Sequence, residues 1–491
     1  MRLVSTRNAG NTVGALEGVL KGIADDGGLF VPETFPQISR ECIEEIGGMT
    51  YAQAAARVLG FYFEMDPEEL LAMTTAAYEN FDDARVTPMK KLGKREFVLE
   101  LFHGPTLAFK DMALQLLPRL MGAALAENGG KEDVLILTAT SGDTGKAALE
   151  GFKDVPRTKI AVFYPEEGVS SMQKLQMVTQ GGENTYVCAV RGNFDDAQTG
   201  VKQVFADPQM AEKVREKGYV FSSANSINFG RLAPQIVYYI YAYARLVRAG
   251  EVRMGDEVNI TVPTGNFGNI LAAYYAKRMG LPVAKLICAS NKNNVLTDFF
   301  DSGRYVTNRM FFKTMSPSMD ILISSNLERL LFEVTERNAK YIEELMQTLK
   351  NEGQYSMDGS YQRLMAEEFY ADFADDVRTM RTIRRIYKNY GYLMDPHTAV
   401  AQTVYEDYMT RTGDRKPSIT VSTASPFKFV QDVLFAVNGE RIEDPFDAAI
   451  KLSAVTGIPL PAQIASLKDA PVRFADCVDK DGLSDVILHM L

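Results

Sequence analysis

The chain has 491 residues, of which 46% are hydrophobic and 24% charged, a mixture that argues against disorder and leaves room for several globular domains. Its net charge of −10 disfavours a broad nucleic-acid surface, but it does not forbid an anionic small ligand held by local donors. The four cysteines, Cys42, Cys188, Cys288 and Cys477, lie far apart with no paired spacing, which excludes a zinc motif and a disulfide framework and fits a reducing cytosol.

The amino terminus, "MRLVSTRNAGNTVGALEGVL", lacks the apolar core of a signal peptide. The longest apolar stretch, Ile236 to Ala244, is far too short to span a bilayer. The expectation is therefore a soluble, cytoplasmic chain. Its first ninety or so residues read as mainly helical, joined by Gly- and Pro-containing connections such as "DDGGLFVPETFP".

Strand-like runs alternating with helical patterns follow, which implies βαβ units and parallel sheets. "REFVLELF" leads into "HGPTLAFKDMALQ", where Lys110 stands between an apolar Leu-Ala-Phe run and a helix-like apolar pattern. An ammonium is costly to desolvate, so Lys110 is either a snorkelling surface residue or an amine held in a pocket for chemistry.

"DVLILT" then leads into "TATSGDTGKAAL", a hydroxyl- and glycine-containing loop at a helix start. Ala147 stands where a P-loop needs Ser or Thr, so a nucleotide reading fails. The loop suits a carboxylate, or it is simply capped by Ser141 or Thr144. "VNITVP" leads into "TGNFGNILAAYYAKRMG". Ile270, Leu271, Tyr274, Tyr275 and Arg278 share one helix face, and Gly280 with Pro282 supplies the stop. That spacing makes "PTGNFGN" a strand-to-helix loop, in which Gly265 and Gly268 permit positive torsions and close backbone approach. The free amides of the helix start make it a phosphate cradle or, more plainly, a tight capped turn. The charged stretch from about 328 to 390 reads as a helical outer layer or insertion. Finally "SITV" leads into "STASPFKFVQDVLFAV", another hydroxyl-rich loop at a strand end.

In open α/β sheets ligands bind at the carboxyl ends of strands. If Lys110 lies there with these loops, one site holds an amine, a phosphate cradle and a carboxylate-binding loop. Pyridoxal phosphate requires that combination, its aldehyde taking the lysine as a Schiff base.

The chain resembles the threonine synthases, fold type II pyridoxal-phosphate enzymes, over nearly its whole length. The resemblance is carried by "VSTRN", "LKGIADDGGLFVPE", "HGPTLAFKDMALQ", "TSGDTG", "NSINFGRLAPQIVYY", "VPTGNFGNILAAYYAKRMGLP", "SPSMDILISSNLERLLFE", "DPHTAV" and "STASPFKF". It implies a tryptophan synthase β-like fold with two α/β domains, the cofactor between them, and a mainly helical N-terminal domain.

Domain boundaries are expected at 1–90, 91–460 and 461–491. The smaller lobe of the core spans about 131–225, and the larger lobe comprises 91–130 and 226–460. By the same resemblance Lys110 carries the cofactor, Gly265, Asn266, Phe267, Gly268 and Asn269 cradle its phosphate, and Thr423 meets the pyridine nitrogen. Ser141, Gly142, Asp143 and Thr144 receive the substrate carboxylate. Asn225, Ser226, Asn228 and Arg231 are candidates for a substrate phosphate, and His397 is expected to hold a turn. No metal is implied.

The implied reaction turns O-phospho-L-homoserine and water into L-threonine and phosphate by γ-elimination and β-addition of water, in a monomer or homodimer. One departure stands out: Ser425 replaces the histidine of the "STAHPAKF" common in relatives, which weakens any histidine role beside the ring. A serine/threonine dehydratase or cysteine synthase shares fold and cofactor without needing a second phosphate site. A non-catalytic phospho-ligand binder would not need the amine.

Overall fold

A computed structural model of the chain describes residues 1–491 apart from 128, 141, 167 and 168, and apart from the side chains of 171, 194 and 195. The larger of two α/β lobes is built on a six-stranded sheet, ordered Phe369–Phe373, Val283–Ser290, Val258–Pro263, Ser418–Ser422, Glu96–Glu100 and Met89–Lys91. All pairs are parallel except the last, where Met89–Lys91 runs against Glu96–Glu100. Val258–Pro263 and Ser418–Ser422 are buried at every position. Their Val- and Ile-rich runs fit strands covered on both faces.

The smaller lobe carries a five-stranded sheet ordered Cys477–Val478, Thr185–Val190, Thr158–Pro165, Asp133–Ala139 and Tyr219–Ser222, with parallel pairing throughout. Its edge strand Cys477–Val478 comes from the expected C-terminal extension, which thus adds to this sheet.

The N-terminal region holds the helices Ala15–Lys21, Arg40–Gly48, Tyr51–Leu59 and Pro67–Tyr78. It also holds a three-stranded antiparallel sheet of Thr12–Gly14, Arg2–Ser5 and Phe30–Pro32. Those strands are three or four residues long, too short to show an alternation in the sequence. The helix Phe229–Arg248, buried over most of its length, is the hub on which Arg40–Gly48, Tyr51–Leu59 and Gly268–Arg278 pack.

The stretch 328–390 corrects a purely helical expectation. It contains the helices Ala339–Glu352, Gly359–Glu368 and Asp376–Tyr390 after Leu327–Val334, but also Phe369–Phe373, which pairs parallel with Val283–Ser290. Phe369 packs its ring on Phe300 at 5.3 Å and on Phe267 at 5.9 Å. A short aromatic strand inside a charged helical pattern has no period of its own to reveal it.

Parallel pairing gathers the functional loops. The segments that follow Glu96–Glu100, Val258–Pro263 and Ser418–Ser422 leave the larger sheet at one edge. Those that follow Asp133–Ala139 and Tyr219–Ser222 leave the smaller sheet likewise. Among the described residues no helix is long and apolar enough to cross a membrane.

Candidate active site

Lys110 is fixed by its neighbours before its side chain is considered. The Phe109 amide donates to the Thr423 carbonyl at 2.8 Å, and the Ser425 amide donates to the Leu107 carbonyl at 3.0 Å. These bonds zip the lysine segment to the end of Ser418–Ser422. Lys110 opens the short helix Asp111–Leu114. Behind it the fully buried Asp111 accepts from the Thr106 amide at 2.8 Å and the Thr106 hydroxyl at 2.7 Å. Burial pushes the Asp111 carboxyl up to about 6, against the pull of those two bonds.

The Lys110 side chain is 11% exposed, with Nζ 3.7 Å from Asp143 Oδ2. It does not snorkel. Burial depresses its pKa; Asp143 opposes that, while Lys428 and Arg231 add to it. An amine so placed is easier to hold neutral at working pH, as a proton acceptor must be.

Asp143 is the centre of a charged cluster that joins the lobes. Besides Lys110 it meets Lys428 Nζ at 3.0 Å, Gln173 Nε2 at 3.0 Å and Ser318 Oγ at 3.2 Å. Burial raises its carboxyl, but Lys428 and then Lys110 outweigh this and leave it far below the usual carboxylate range. Lys428 is fully buried and also donates to the Thr106 carbonyl at 2.8 Å and to Gln176 Oε1 at 3.3 Å. Sequence reasoning missed Lys428. The signal was present, since "PFKF" buries a lysine in an apolar run as "LAFKD" does.

The other sequence-derived residues fall as follows. Gly142, at φ 149°, leads into the helix Asp143–Phe152 without a side-chain cap. Thr140, not Thr144, satisfies the first amides: its hydroxyl accepts from Gly142 at 3.0 Å and Gly145 at 2.9 Å. Ser141 lies outside the described residues. The Asp143 side chain is committed to the lysines, which leaves only its backbone for a substrate carboxylate. Thr144 is partly exposed at the helix start. Thr423 is 6% exposed, and among the described residues its hydroxyl has no protein partner.

In the phosphate-type loop the positive torsion belongs to Phe267, at φ 62°, rather than to Gly265 or Gly268. Phe267 is held there by its ring packing and precedes the helix Gly268–Arg278, which no side chain caps. Gly265 is needed for close approach, because a Cβ there would lie 2.8 Å from the Ser318 carbonyl oxygen. Asn266 lends its carbonyl to the Asn326 amide at 3.1 Å. Asn269 accepts through Oδ1 from Tyr238 at 2.6 Å and Tyr239 at 2.5 Å, which orients its amide, and its buried Nδ2 is left without a partner, a donor free for an anion. An uncapped helix start, a glycine pressed on the backbone, and a buried amine fit the phosphate and aldehyde of pyridoxal phosphate.

Asn228 is a correction. It caps Phe229–Arg248 by accepting from the Gly230 amide at 2.8 Å, and its Nδ2 donates to the Val19 and Ser223 carbonyls at 2.9 and 3.0 Å. Fully buried and fully paired, it has nothing left for a phosphate. Asn225 and Ser226 are only partly buried. Arg231 is 3% exposed, donates to the Ala224 carbonyl at 2.6 Å, and leaves Nε without a partner. Burial lowers its pKa to about 10, so it remains a cation. His397 holds a turn as expected: its Nδ1 lies 2.8 Å from Asp395 Oδ1, and its Nε2 accepts from the Ser318 amide at 3.2 Å. It thereby ties down the "SPSMD" loop. Ser425 caps the turn after Thr423, accepting from the Phe427 amide at 3.3 Å.

His103 clamps the entry to the lysine segment, with Nδ1 2.6 Å from Asp82 and Nε2 3.0 Å from Glu100. Burial lowers its pKa, but the two carboxylates outweigh this and raise it to about 9. Asp83, paired with Arg85, is also lowered by the His103 charge. A raised folded pKa contributes stability that is fully present below the unfolded value of about 6.5 and is lost as pH rises through 9. With discounting for partial exposure, the loss is on the order of 1–2 kcal/mol. Urea unfolding at pH 6 and pH 9.5 should show that decline, and His103→Gln should flatten it. An equal decline in the variant would remove His103 as its source.

Three family models match the chain. Residues 2–78 match threonine synthase N terminus, residues 82–423 pyridoxal-phosphate dependent enzyme, and residues 398–487 threonine synthase, C-terminal. Threonine synthase of Pseudomonas aeruginosa is 40% identical over 438 residues, which is 88% of this chain and 90% of that one. Threonine synthase-like 1 of Homo sapiens is 39% identical over 448 residues, 89% of this chain, which spans 60% of that longer relative. Among solved structures, pyridoxal-phosphate-bound threonine synthase from Brucella melitensis aligns at TM-score 0.89 and 37% identity, covering 100% of this chain and 99% of that one. Yeast threonine synthase aligns at 0.89 and 31% identity, covering 99% and 98%.

Proposed function

Since the chain belongs to the threonine synthase family of pyridoxal-phosphate-dependent enzymes, we propose that it converts O-phospho-L-homoserine and water to L-threonine and phosphate. Its cofactor is pyridoxal phosphate. When bound, that group supplies an aldehyde for amines and an electron sink for the carbanions the reaction passes through.

The remaining work falls to protein groups. Lys110 Nζ would hold the cofactor and, when free of it, would be the atom that takes and returns protons at the substrate's Cα and Cβ. Lys428 and Arg231 help keep it partly neutral, and Asp143 keeps it in place. The amides at Gly268 anchor the cofactor phosphate, Thr423 offers a neutral hydroxyl to the ring nitrogen, and the Asp143 and Thr144 amides are offered to the substrate carboxylate.

The observation that carries the substrate assignment is Arg231. A buried guanidinium with an unpaired Nε, close enough to Lys110 to depress its pKa, calls for an anion beyond the cofactor phosphate. A dehydratase has no such second phosphate. The same reading has the enzyme acting on a small molecule as a monomer or homodimer in the cytoplasm, with no nucleic-acid or membrane partner.

Turnover of O-phosphohomoserine should be compared with that of L-serine and L-threonine, in the native chain and in Arg231→Gln. Phosphate release confined to the phosphorylated substrate, with KM raised at least ~10-fold in the variant, is expected. Deamination of serine or threonine without phosphate release would move the assignment to a dehydratase.

A further inference from the structure

The "STRN" motif near the amino terminus takes no part in the chemistry above, yet it reaches the site. Thr6 and Arg7 grip one carboxylate, Glu328. The Thr6 hydroxyl donates to Oε1 at 2.5 Å, Arg7 Nε to Oε1 at 3.0 Å, and Arg7 Nη2 to Oε2 at 2.7 Å. Glu328 is 5% exposed, so this bidentate pair is a sheltered one and geometrically exacting.

The next residue, Arg329, is among the largest fully buried side chains of the protein. Among the described residues it bonds no carboxylate. Its Nε donates to the Phe30 carbonyl at 2.9 Å, its Nη2 to the Ile227 carbonyl at 2.6 Å, and its Nη1 to Asn326 Oδ1. Burial lowers its pKa to about 10, so the guanidinium stays charged.

Each acceptor sits on a different segment. Phe30 lies in the N-terminal strand Phe30–Pro32. Ile227 lies in the loop that leads to Arg231. Asn326 holds the Asn266 carbonyl through its amide at 3.1 Å and its Nδ2 at 2.9 Å, while Ser324 Oγ donates to the Gly265 carbonyl at 2.7 Å. Three donors in a rigid plane thus fix three segments, two of which carry the anion-binding loops.

We propose that Arg329, seated by the Thr6–Arg7–Glu328 clamp, is a positioning residue that fixes the phosphate loop 265–269 against the 225–228 turn that leads to Arg231. The N-terminal domain is then a working part of the cofactor site, because it sets the shape of the cradle from behind. This rests on the reading of 265–269 as the loop that binds the cofactor phosphate. A lysine at 329 would supply charge at one point but could not span three acceptors. A methionine at 7 would release the clamp from a partly exposed position without cutting a core side chain.

The test is the dissociation constant for pyridoxal phosphate of the full-length chain, titrated by absorbance, in Arg7→Met, Arg329→Lys and Gly265→Val, with melting of each cofactor-free form alongside. Arg7→Met and Arg329→Lys should each weaken binding at least ~10-fold in chain that is still folded. Gly265→Val, whose Cβ meets the Ser318 carbonyl, should weaken it too. If both arginine variants melt earlier yet bind with native affinity while Gly265→Val does not, the arginine is only structural and the inference fails alone. If Gly265→Val also binds normally, the loop assignment and the inference fail together. Should Arg329→Lys not fold, Arg7→Met decides: native affinity there overturns the proposal.

Discussion

Lys110→Ala should abolish the near-visible absorbance of bound cofactor and cut turnover by at least ~10³-fold, the usual range for loss of a combined covalent and acid–base group. The reason is positional. Lys110 Nζ is held beside Asp143 at 3.7 Å by a backbone zipped to residues 423–425, and the other amine that meets Asp143 among the described residues, Lys428, is tied to three partners. The fold should survive, because removing a buried ammonium also removes a desolvation cost. Borohydride reduction of the native protein followed by peptide mass analysis should place the cofactor on the peptide containing Lys110. Label on a Lys428 peptide, or retained turnover in Lys110→Ala, would exchange the roles of the two lysines.

Lys428→Met should have the next largest effect, and in two separable ways. Asp143 would lose its closest cation in a fully buried place, a change of the kind that costs about 3–5 kcal/mol. Lys110 would lose a neighbouring positive charge and gain a larger share of Asp143, so its amine should titrate higher. The limb of kcat that needs the neutral amine should move to higher pH. Asp143→Asn should shift the limb the opposite way, since it removes the group that favours the ammonium. Pairing the two substitutions should restore part of the stability that either loses alone. Competitive acylation of the cofactor-free protein across pH measures the Lys110 titration directly. Equal profiles in native and Lys428→Met protein would separate Lys428 from the base.

The sequence yielded the site where a residue type and its spacing were unusual, and missed it where the determinant was contact between distant segments. Lys110 was visible because a lysine inside "LAFKD" conflicts with its surroundings. Lys428 posed the same conflict in "PFKF", but its partner Asp143 is 285 positions away by residue number and nothing local joins them. The loop "GNFGN" was legible as a strand-to-helix turn, yet the glycine argument placed the positive torsion on the wrong residues. Phe267 adopts it because Phe300 and Phe369 hold its ring, and Phe369 comes from a strand the helical pattern of 328–390 had hidden. Asn228 looked like a donor for an anion because capping and ligand binding use the same side chain. Only the carbonyls of Val19 and Ser223 show where its amide is spent. Arg329 carried no signal at all: within "SSNLERLLFE" it reads as one charge on an amphipathic helix.

The most direct test of the assignment is to add O-phosphohomoserine to the purified, cofactor-loaded chain and to follow absorbance, released phosphate and L-threonine together. The expected result is a near-visible band that changes on mixing, with phosphate and threonine formed in equal amounts. A band that responds while phosphate is released without threonine, or while neither appears, would contradict threonine synthesis as the function of this site.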